Sequence, residues 1–328
     1  MIDGFQIGHC TRDEPGWLTG TSVVLCRDGA MGGVDVRGGG PGTRETDLLD
    51  PVTVMDRVHA ITLTGGSAYG LAAADGVMAG LEAERIGFGV GSLPHQVVPI
   101  VPAAVIYDLG RGGEFAHRPD AGFGAAALAA ATADDPDEGS VGAGTGAVAG
   151  GLKGGFGYAE TVTPQGHRVG AAVVLNAAGS VVDRATGRLW SDRTHRLPDP
   201  TDDERTALAG LAVGSSFATT IGVVMTDATL TKAQASKVAQ VGHDGMARAV
   251  RPLHSMLDGD TVFCLASQRR PLPTDPYEQL FAFNDVLAVA ADVFTDACFR
   301  AVTSAGSRGE WASWSELAPS TVTPTTTG

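Results

Sequence analysis

Basic residues are few in this 328-residue chain: 23 Lys and Arg stand against 37 Asp and Glu, a net charge of −14. A nucleic-acid surface needs clustered Lys and Arg, and the basic runs here are as short as Arg269-Arg270. Long apolar runs are missing too. No stretch of 18 or more uninterrupted apolar residues occurs, which argues against a membrane span, and the start Met1-Ile-Asp-Gly-Phe5 lacks the basic and apolar pattern of a signal peptide. The four cysteines (Cys10, Cys26, Cys264, Cys298) are too scattered for a zinc knuckle or a redox dithiol, and they read as free thiols in a reducing cytoplasm. The eight histidines form no HxH or HxxxH pair, so no dedicated metal site is expected. Aromatic residues make up only 6% of the chain.

Glycine, in contrast, is abundant: 46 residues, about twice the usual share of about 7%. The glycines have no triplet period, which excludes collagen, and the 43% hydrophobic content in blocks between turns excludes disorder. The backbone must pack closely or turn sharply at many places. Apolar blocks predict buried strands at 21–26, 33–37, 58–64, 101–109, 169–175, 219–226 and 260–267. Leu71, Ala74, Met78 and Leu81 predict a helix after Ser67 as N-cap. Thr231-x-x-Gln234 is a capping box opening a helix that Pro252 stops. The stripe Leu280, Phe283, Leu287, Ala290, Phe294, Ala297, Ala301 predicts the clearest helix, suited to covering a sheet. Strands and helices do not alternate strictly, so a layered α/β sandwich fits better than a βαβ repeat. The segment 197–206 reads as a polar surface connection, and the tail Thr321–Gly328 has nothing to bury.

Gly144-x-Gly146-x-x-Ala149 matches a relaxed dinucleotide fingerprint, which requires a buried strand before it and a helix after it. The acidic turn Asp134–Glu138 stands where that strand should be, so a glycine-rich wall of a different site is the better reading. Ala218-Thr219-Thr220 places two hydroxyl residues at the start of a buried strand, which in isolation is ordinary strand composition. Asp258-Gly259-Asp260 reads in isolation as a turn.

Six segments in order change these readings: 37–49 (Arg37 to Leu49), Leu63–Leu71, Gly142–Gly146, Val174–Asn176, Ala218–Val224 and Asp258–Phe263. Together they resemble the self-cleaving L-aminopeptidase/D-esterase and β-aminopeptidase family, whose relatives include nylon-oligomer hydrolases. The resemblance runs from about residue 3 to residue 305. It implies an α/β fold, the four-layer αββα sandwich of N-terminal-nucleophile hydrolases, in one domain spanning 1–328. It also implies self-cleavage between Ala218 and Thr219 into an α chain, 1–218, and a β chain, 219–328. The expected activity is release of N-terminal residues from short peptides, amides or esters, in the cytoplasm, without cofactor, metal, nucleic acid or membrane. The expected assembly is a homo-oligomer, a tetramer of αβ units.

A threonine hydroxyl is a weak nucleophile without an adjacent base, and a freed α-amine on Thr219, titrating near about 7.7–8.0, can serve as that base. The resemblance extends to further positions. Asn176 matches an asparagine that donates to the developing oxyanion. Tyr69 matches a tyrosine near the same oxygen, with packing on the helix over 68–82 as its alternative. Lys153 matches a lysine beside the nucleophile, with a surface lysine as its alternative. Asp258 and Asp260 match an acidic pair that holds the nucleophile's amine or the substrate's free amino group. Ala218 departs from the Asn or Gly that relatives carry there. Two other classes remain open on sequence: an ornithine acetyltransferase type of acyl transferase on the same fold, and a nucleotide-binding module on Gly142–Ala149.

Overall fold

The computed structural model describes residues 1–212 and 217–322. Among them, nine strands form one continuous ladder. They are β1 (Gln6–Arg12), β2 (Thr19–Val36), β3 (Thr43–Arg44), β4 (Val58–Thr64), β5 (Ala103–Val105), β6 (Gly155–Val162), β7 (Arg168–Leu175), β8 (Ile221–Ala228) and β9 (Thr261–Arg270). Their order is β6-β7-β8-β9-β2-β4-β5-β3, with β1 on the free side of β2. The β8–β9 and β4–β5 pairs are parallel, and the rest antiparallel.

One strand turns this ladder into two layers. The first half of β2 pairs with β1 and β4, while its second half, Met31–Val36, pairs with β9. Between the halves the register with β4 shifts from Leu25 to Ala30, and Gly29 takes φ +76°, a left-handed conformation that suits glycine. Strand side chains alternate between faces. In β2, Val23 and Leu25 face one helical layer while Val24 and Cys26 face the opposite sheet. In β7, Ala171, Val173 and Leu175 face the other helical layer while Ala172 and Val174 join the space between the sheets. Both faces of each sheet are therefore buried, which is why these strands read as continuous apolar runs. The helices α1 (Ala73–Ala83) and α2 (Ala121–Ala129) cover one sheet. The helices α4 (Lys232–Ala247) and α5 (Pro276–Thr303) cover the other, and α3 (Asp202–Ala209) lies peripherally. The result is the four-layer αββα sandwich.

Local signals fare unevenly. The Thr231/Gln234 capping box is present in full, and α4 ends at Ala247, before Pro252. The helix α5 begins earlier than its apolar stripe suggests, because Asp275 accepts from the N–H groups of Tyr277 and Glu278. Leu280 in its second turn is exposed. Ser67 is not an N-cap: it has φ +51° inside a 3₁₀ turn, and the α-helix starts at Ala73. The strand expected over 101–109 spans only Ala103–Val105, and β8 starts at Ile221, two residues after Thr219. Part of the segment 197–206 is the start of α3, which carries its own Thr201/Glu204 capping box. Gly142–Gly144 forms a 3₁₀ turn followed by the short strand Val148–Ala149, so no helix follows the glycines to receive a pyrophosphate. In the expected tail, Thr321 is buried and accepts from Trp314 Nε1 at 2.9 Å, and residues 323–328 lie outside the described residues.

Glycine marks the places where layers touch. A Cβ on Gly157 of β6 would lie 2.1 Å from the Ala297 carbonyl oxygen of α5. Gly76 of α1 and Gly124 of α2 would each place one 1.8 Å from a carbonyl oxygen of the opposite helix. Gly76→Ala should therefore cost about 1–3 kcal/mol by overpacking, seen as a lowered midpoint in denaturant unfolding with the m-value unchanged. Burial also holds two histidines neutral. His9, edge-on to Phe156 between the sheets, and His243 on α4 are both pushed down from 6.5 to about 4. A depressed histidine contributes stability that is present above its unfolded value and lost as pH falls through its folded value. The melting temperature should fall between pH 6.5 and 4, and His9→Asn should flatten part of that fall in a pH series of thermal melts.

Candidate active site

The parallel pairing of β8 and β9 extends beyond the strands. Ala218 bridges Asp258, the Ala218 N–H donates to the Leu257 carbonyl at 3.0 Å, and the Thr261 N–H donates to the Thr220 carbonyl at 3.1 Å. The Thr219 N–H donates to the Asn176 carbonyl at the end of β7, at 2.7 Å. The Ala218–Thr219 peptide is thus clamped from both sides, and both residues are buried.

Within that clamp the Thr219 hydroxyl hydrogen-bonds to the carbonyl oxygen of its own preceding residue, Ala218. The Gly259 N–H points at the same pair, 3.2 Å from the Ala218 carbonyl oxygen and 3.2 Å from Thr219 Oγ1. A Cβ at position 259 would fall 2.6 Å from the Gly40 carbonyl oxygen and 2.8 Å from Thr219 Oγ1, so only glycine lets that amide approach. A cleft of about 260 Å³ opens beside Thr219, with walls that include Pro41, Ser67, Val105, Tyr107 and Phe217. The Phe217 ring stands 5.6 Å from that of Tyr107.

The two carboxylates of 258–260 are engaged by the protein itself. Asp258 accepts from the N–H of Ala178 (3.1 Å) and of Ser255 (3.0 Å), and from the Ser255 hydroxyl. Asp260 accepts from the Thr220 N–H at 2.7 Å and pairs with His254 Nδ1 at 2.8 Å. Burial raises the Asp260 carboxyl above the usual carboxylate range, and the neighbouring Asp258 adds to the rise, against the pull of His254 and the Thr220 amide. The Asp260 carboxylate thus holds the Thr220 amide next to Thr219, the Asp258 carboxylate holds the backbone at Ala178 and Ser255, and the hydrogen bond from the Thr219 nitrogen goes to the Asn176 carbonyl.

Asn176 and Lys153 sit in one network behind the cleft. Asn176 Oδ1 accepts from the Val148 N–H at 3.0 Å and from Arg111 at 2.5 Å, while its Nδ2 reaches the Tyr107 carbonyl at 3.4 Å. Lys153 is fully buried, neither a surface lysine nor hydrogen-bonded to Thr219. Its Nζ donates to the carbonyls of Gly144, Ala147 and Gly154, which fixes the glycine-rich loop that presents Val148 to Asn176. Burial, with Arg111 and Arg308 nearby, drives its ammonium well below the usual lysine range. Tyr69 is not brought to the cleft: its ring is 55% exposed and lies under the Arg118 guanidinium at 3.7 Å, although Ser67 and Ala68 line the wall. Tyr107 stands in the cleft instead, and Arg111, His254 and Gly259 complete a set that residue patterns did not single out. A tyrosine just past the end of a parallel strand was the available signal for Tyr107, since such ends collect ligand-facing groups.

Comparison with known proteins gives the family and the fold. The model for peptidase family S58 matches residues 2–310. The chain belongs to peptidase family S58. An uncharacterized aminopeptidase of Mycobacterium tuberculosis is 46% identical over 326 residues, covering 93% of each chain. A 6-aminohexanoate-oligomer endohydrolase of Kocuria sp. is 32% identical over 316 residues, covering 91% of this chain and 84% of the relative. Among solved structures, a Burkholderia sp. β-aminopeptidase matches with a TM-score of 0.71 at 24% identity, over 97% of this chain and 90% of that one. The L-aminopeptidase D-Ala-esterase/amidase of Ochrobactrum anthropi, described as a variant of the Ntn-hydrolase fold, matches with a TM-score of 0.67 at 18% identity, over 93% and 85%. These two likenesses establish the fold.

In this S58 chain Asp258 is a structural clamp whatever else it does. Asp258→Ala strands the buried Ala178 N–H and the part-buried Ser255 N–H, at up to about 1–3 kcal/mol for each unsatisfied group. Thermal unfolding should register a loss of that size, and a smaller one for Asp258→Asn, which keeps an acceptor oxygen.

Proposed function

We propose that this S58 peptidase is an N-terminal-nucleophile amidohydrolase that matures by cutting its own Ala218–Thr219 bond, and then releases N-terminal residues from short peptides, amides or esters. The observation that carries the reading is the contact of the Thr219 hydroxyl with the Ala218 carbonyl under the Gly259 N–H. Attack of Thr219 Oγ1 on that carbonyl carbon forms a C–O bond and places the developing negative charge on the oxygen that faces the Gly259 amide, where a preorganised donor is most effective. The C–N bond then breaks, the hydroxyl proton passes to the departing nitrogen, and an ester remains. Water hydrolyses that ester, leaving a carboxylate on Ala218 and a free hydroxyl and amine on Thr219.

The new α-amine supplies what the peptide nitrogen cannot, a base for the hydroxyl beside it. The β-branch of threonine limits χ1 and keeps the two groups together. Substrate enters the cleft between Tyr107 and Pro41, with its carbonyl carbon where that of Ala218 stood. Asn176 Nδ2 is the donor we assign to the substrate's oxyanion. It makes a long 3.4 Å contact to the carbonyl of Tyr107, a cleft residue, that a stronger acceptor can replace. Asp260, bonded to the Thr220 N–H, fixes the residue next to the nucleophile. Lys153 acts through the loop that holds Asn176.

N-terminal sequencing of the purified protein tests the reading. Two sequences are expected, one starting at the chain's own beginning and one reading Thr-Thr-Ile-Gly. Thr219→Ala should give a single uncut chain with no amide or ester hydrolysis, and an uncut wild-type protein that hydrolyses substrate would refute the mechanism.

A further inference from the structure

Arg111 is a half-buried cation that the proposed chemistry has not used. It follows β5 in the segment that also carries Tyr107 and Asp108, and its Nη1 makes two short hydrogen bonds, to Asn176 Oδ1 at 2.5 Å and to the Gly146 carbonyl at 2.6 Å. Its guanidinium lies 5.8 Å from the centre of the Trp311 ring. Asp108, a carboxylate whose charge acts on it, is itself held by Thr19 Oγ1 at 2.7 Å and by the Gly66 N–H at 2.6 Å.

The consequence lies in the Asn176 amide. A primary amide has an acceptor end and a donor end that fit one cavity equally well, and only its neighbours decide which way it points. Here two donors, Arg111 Nη1 and the Val148 N–H, converge on one atom, which forces that atom to be oxygen. The donor end is left with the long contact to the carbonyl of Tyr107, a residue that lines the cleft. A cation bonded to the amide oxygen also draws electron density away from the nitrogen, which makes its N–H groups stronger donors. Hydrogen bonds to charged groups in a site shielded from water are the strong ones.

We propose that Arg111 is the positioning residue for the oxyanion donor: it fixes the orientation of the Asn176 amide and polarises it, so that Nδ2 meets the substrate's developing oxyanion. The proposal rests on the hydrolase reading above and deepens it. It separates the two oxyanions of the protein's life. That of self-cleavage faces the Gly259 amide, and that of turnover faces Asn176, so Arg111 serves only the second.

The test uses full-length wild type, Arg111→Met, Arg111→Ala, Asn176→Ala and the double variant Asn176→Ala/Arg111→Met, with alanine p-nitroanilide and a p-nitrophenyl ester as probes. Arg111→Met should still yield the Thr219 N-terminus, and its kcat should fall about 10- to 100-fold, the scale of a misplaced reacting group, with KM within about twofold. The double variant should be no slower than Asn176→Ala alone, since both changes remove one function. Added guanidinium ion should restore activity to Arg111→Ala, which has room for it, and not to Arg111→Met. That rescue reads the role even where the methionine variant folds poorly. A cut Arg111→Met with wild-type kcat overturns the proposal. So does a folded but uncut Arg111→Met, a double variant whose losses multiply, or an Arg111→Ala that guanidinium leaves unchanged. A wild-type protein that is uncut and inert toward both probes overturns the hydrolase reading itself, a result distinct from all of these.

Discussion

The parallel register of β8 on β9 is the constraint on which the site depends. It sets Ala218 beside Asp258 and Ile221 opposite Thr261, and so brings the Gly259 amide under a single peptide bond. A slip of one residue would send Asp260 away from the Thr220 N–H and turn every apolar side chain of β8 to the wrong layer. The alternation of Ile221, Val223 and Met225 toward the other sheet against Val224 toward α4 and α5 therefore fixes the placement of the site as well as the core.

The glycine surplus belongs to the same logic. Two sheets and two helical layers stack in a chain poor in aromatics, and the contacts between layers are often backbone against backbone. Gly157 beneath α5 and the Gly76–Gly124 contact between α1 and α2 bring carbonyls closer than any side chain permits. Gly259 applies this at the site, where the lack of a Cβ lets its N–H approach the Ala218 carbonyl and Thr219 Oγ1.

Much of the sandwich was legible in the sequence because both faces of its central strands are buried, which leaves largely apolar runs at 58–64, 169–175 and 260–267. Segments whose structure is decided by partners were not. The strand β6 is broken in composition by Gly155 and Gly157, and α2 is nearly all alanine and glycine, with no contrast between its faces; β5 lies within an expected strand but pairs over only three residues. The site divided the same way. Thr219, Asn176, Asp258 and Asp260 lie around one peptide, and Lys153 joins them only through its loop. Tyr69 does not meet them. Its place just after a strand and a glycine pair is shared by its neighbours, and the 3₁₀ turn at 67–72 rotates its ring outward to Arg118. Arg111 carries no local signal, because its meaning depends on an amide 65 residues away.

The strands on either side of β8 and β9 come from the other side of the 218–219 bond. In the ladder, β7 flanks β8 and β2 flanks β9, so residues 219–270 contribute two interior strands to a sheet whose edges belong to residues before 219. A cut at that bond removes a covalent link and leaves both ladders intact. Its thermodynamic effect is on molecularity. Unfolding of the uncut chain is unimolecular, whereas unfolding of the cut protein produces two chains, and its midpoint then depends on protein concentration. Once separated, neither piece could rebuild its half of the sheet alone, since each would present unpaired strand edges where the other had been. Maturation would thus make folding a one-time event, completed while the chain is still whole.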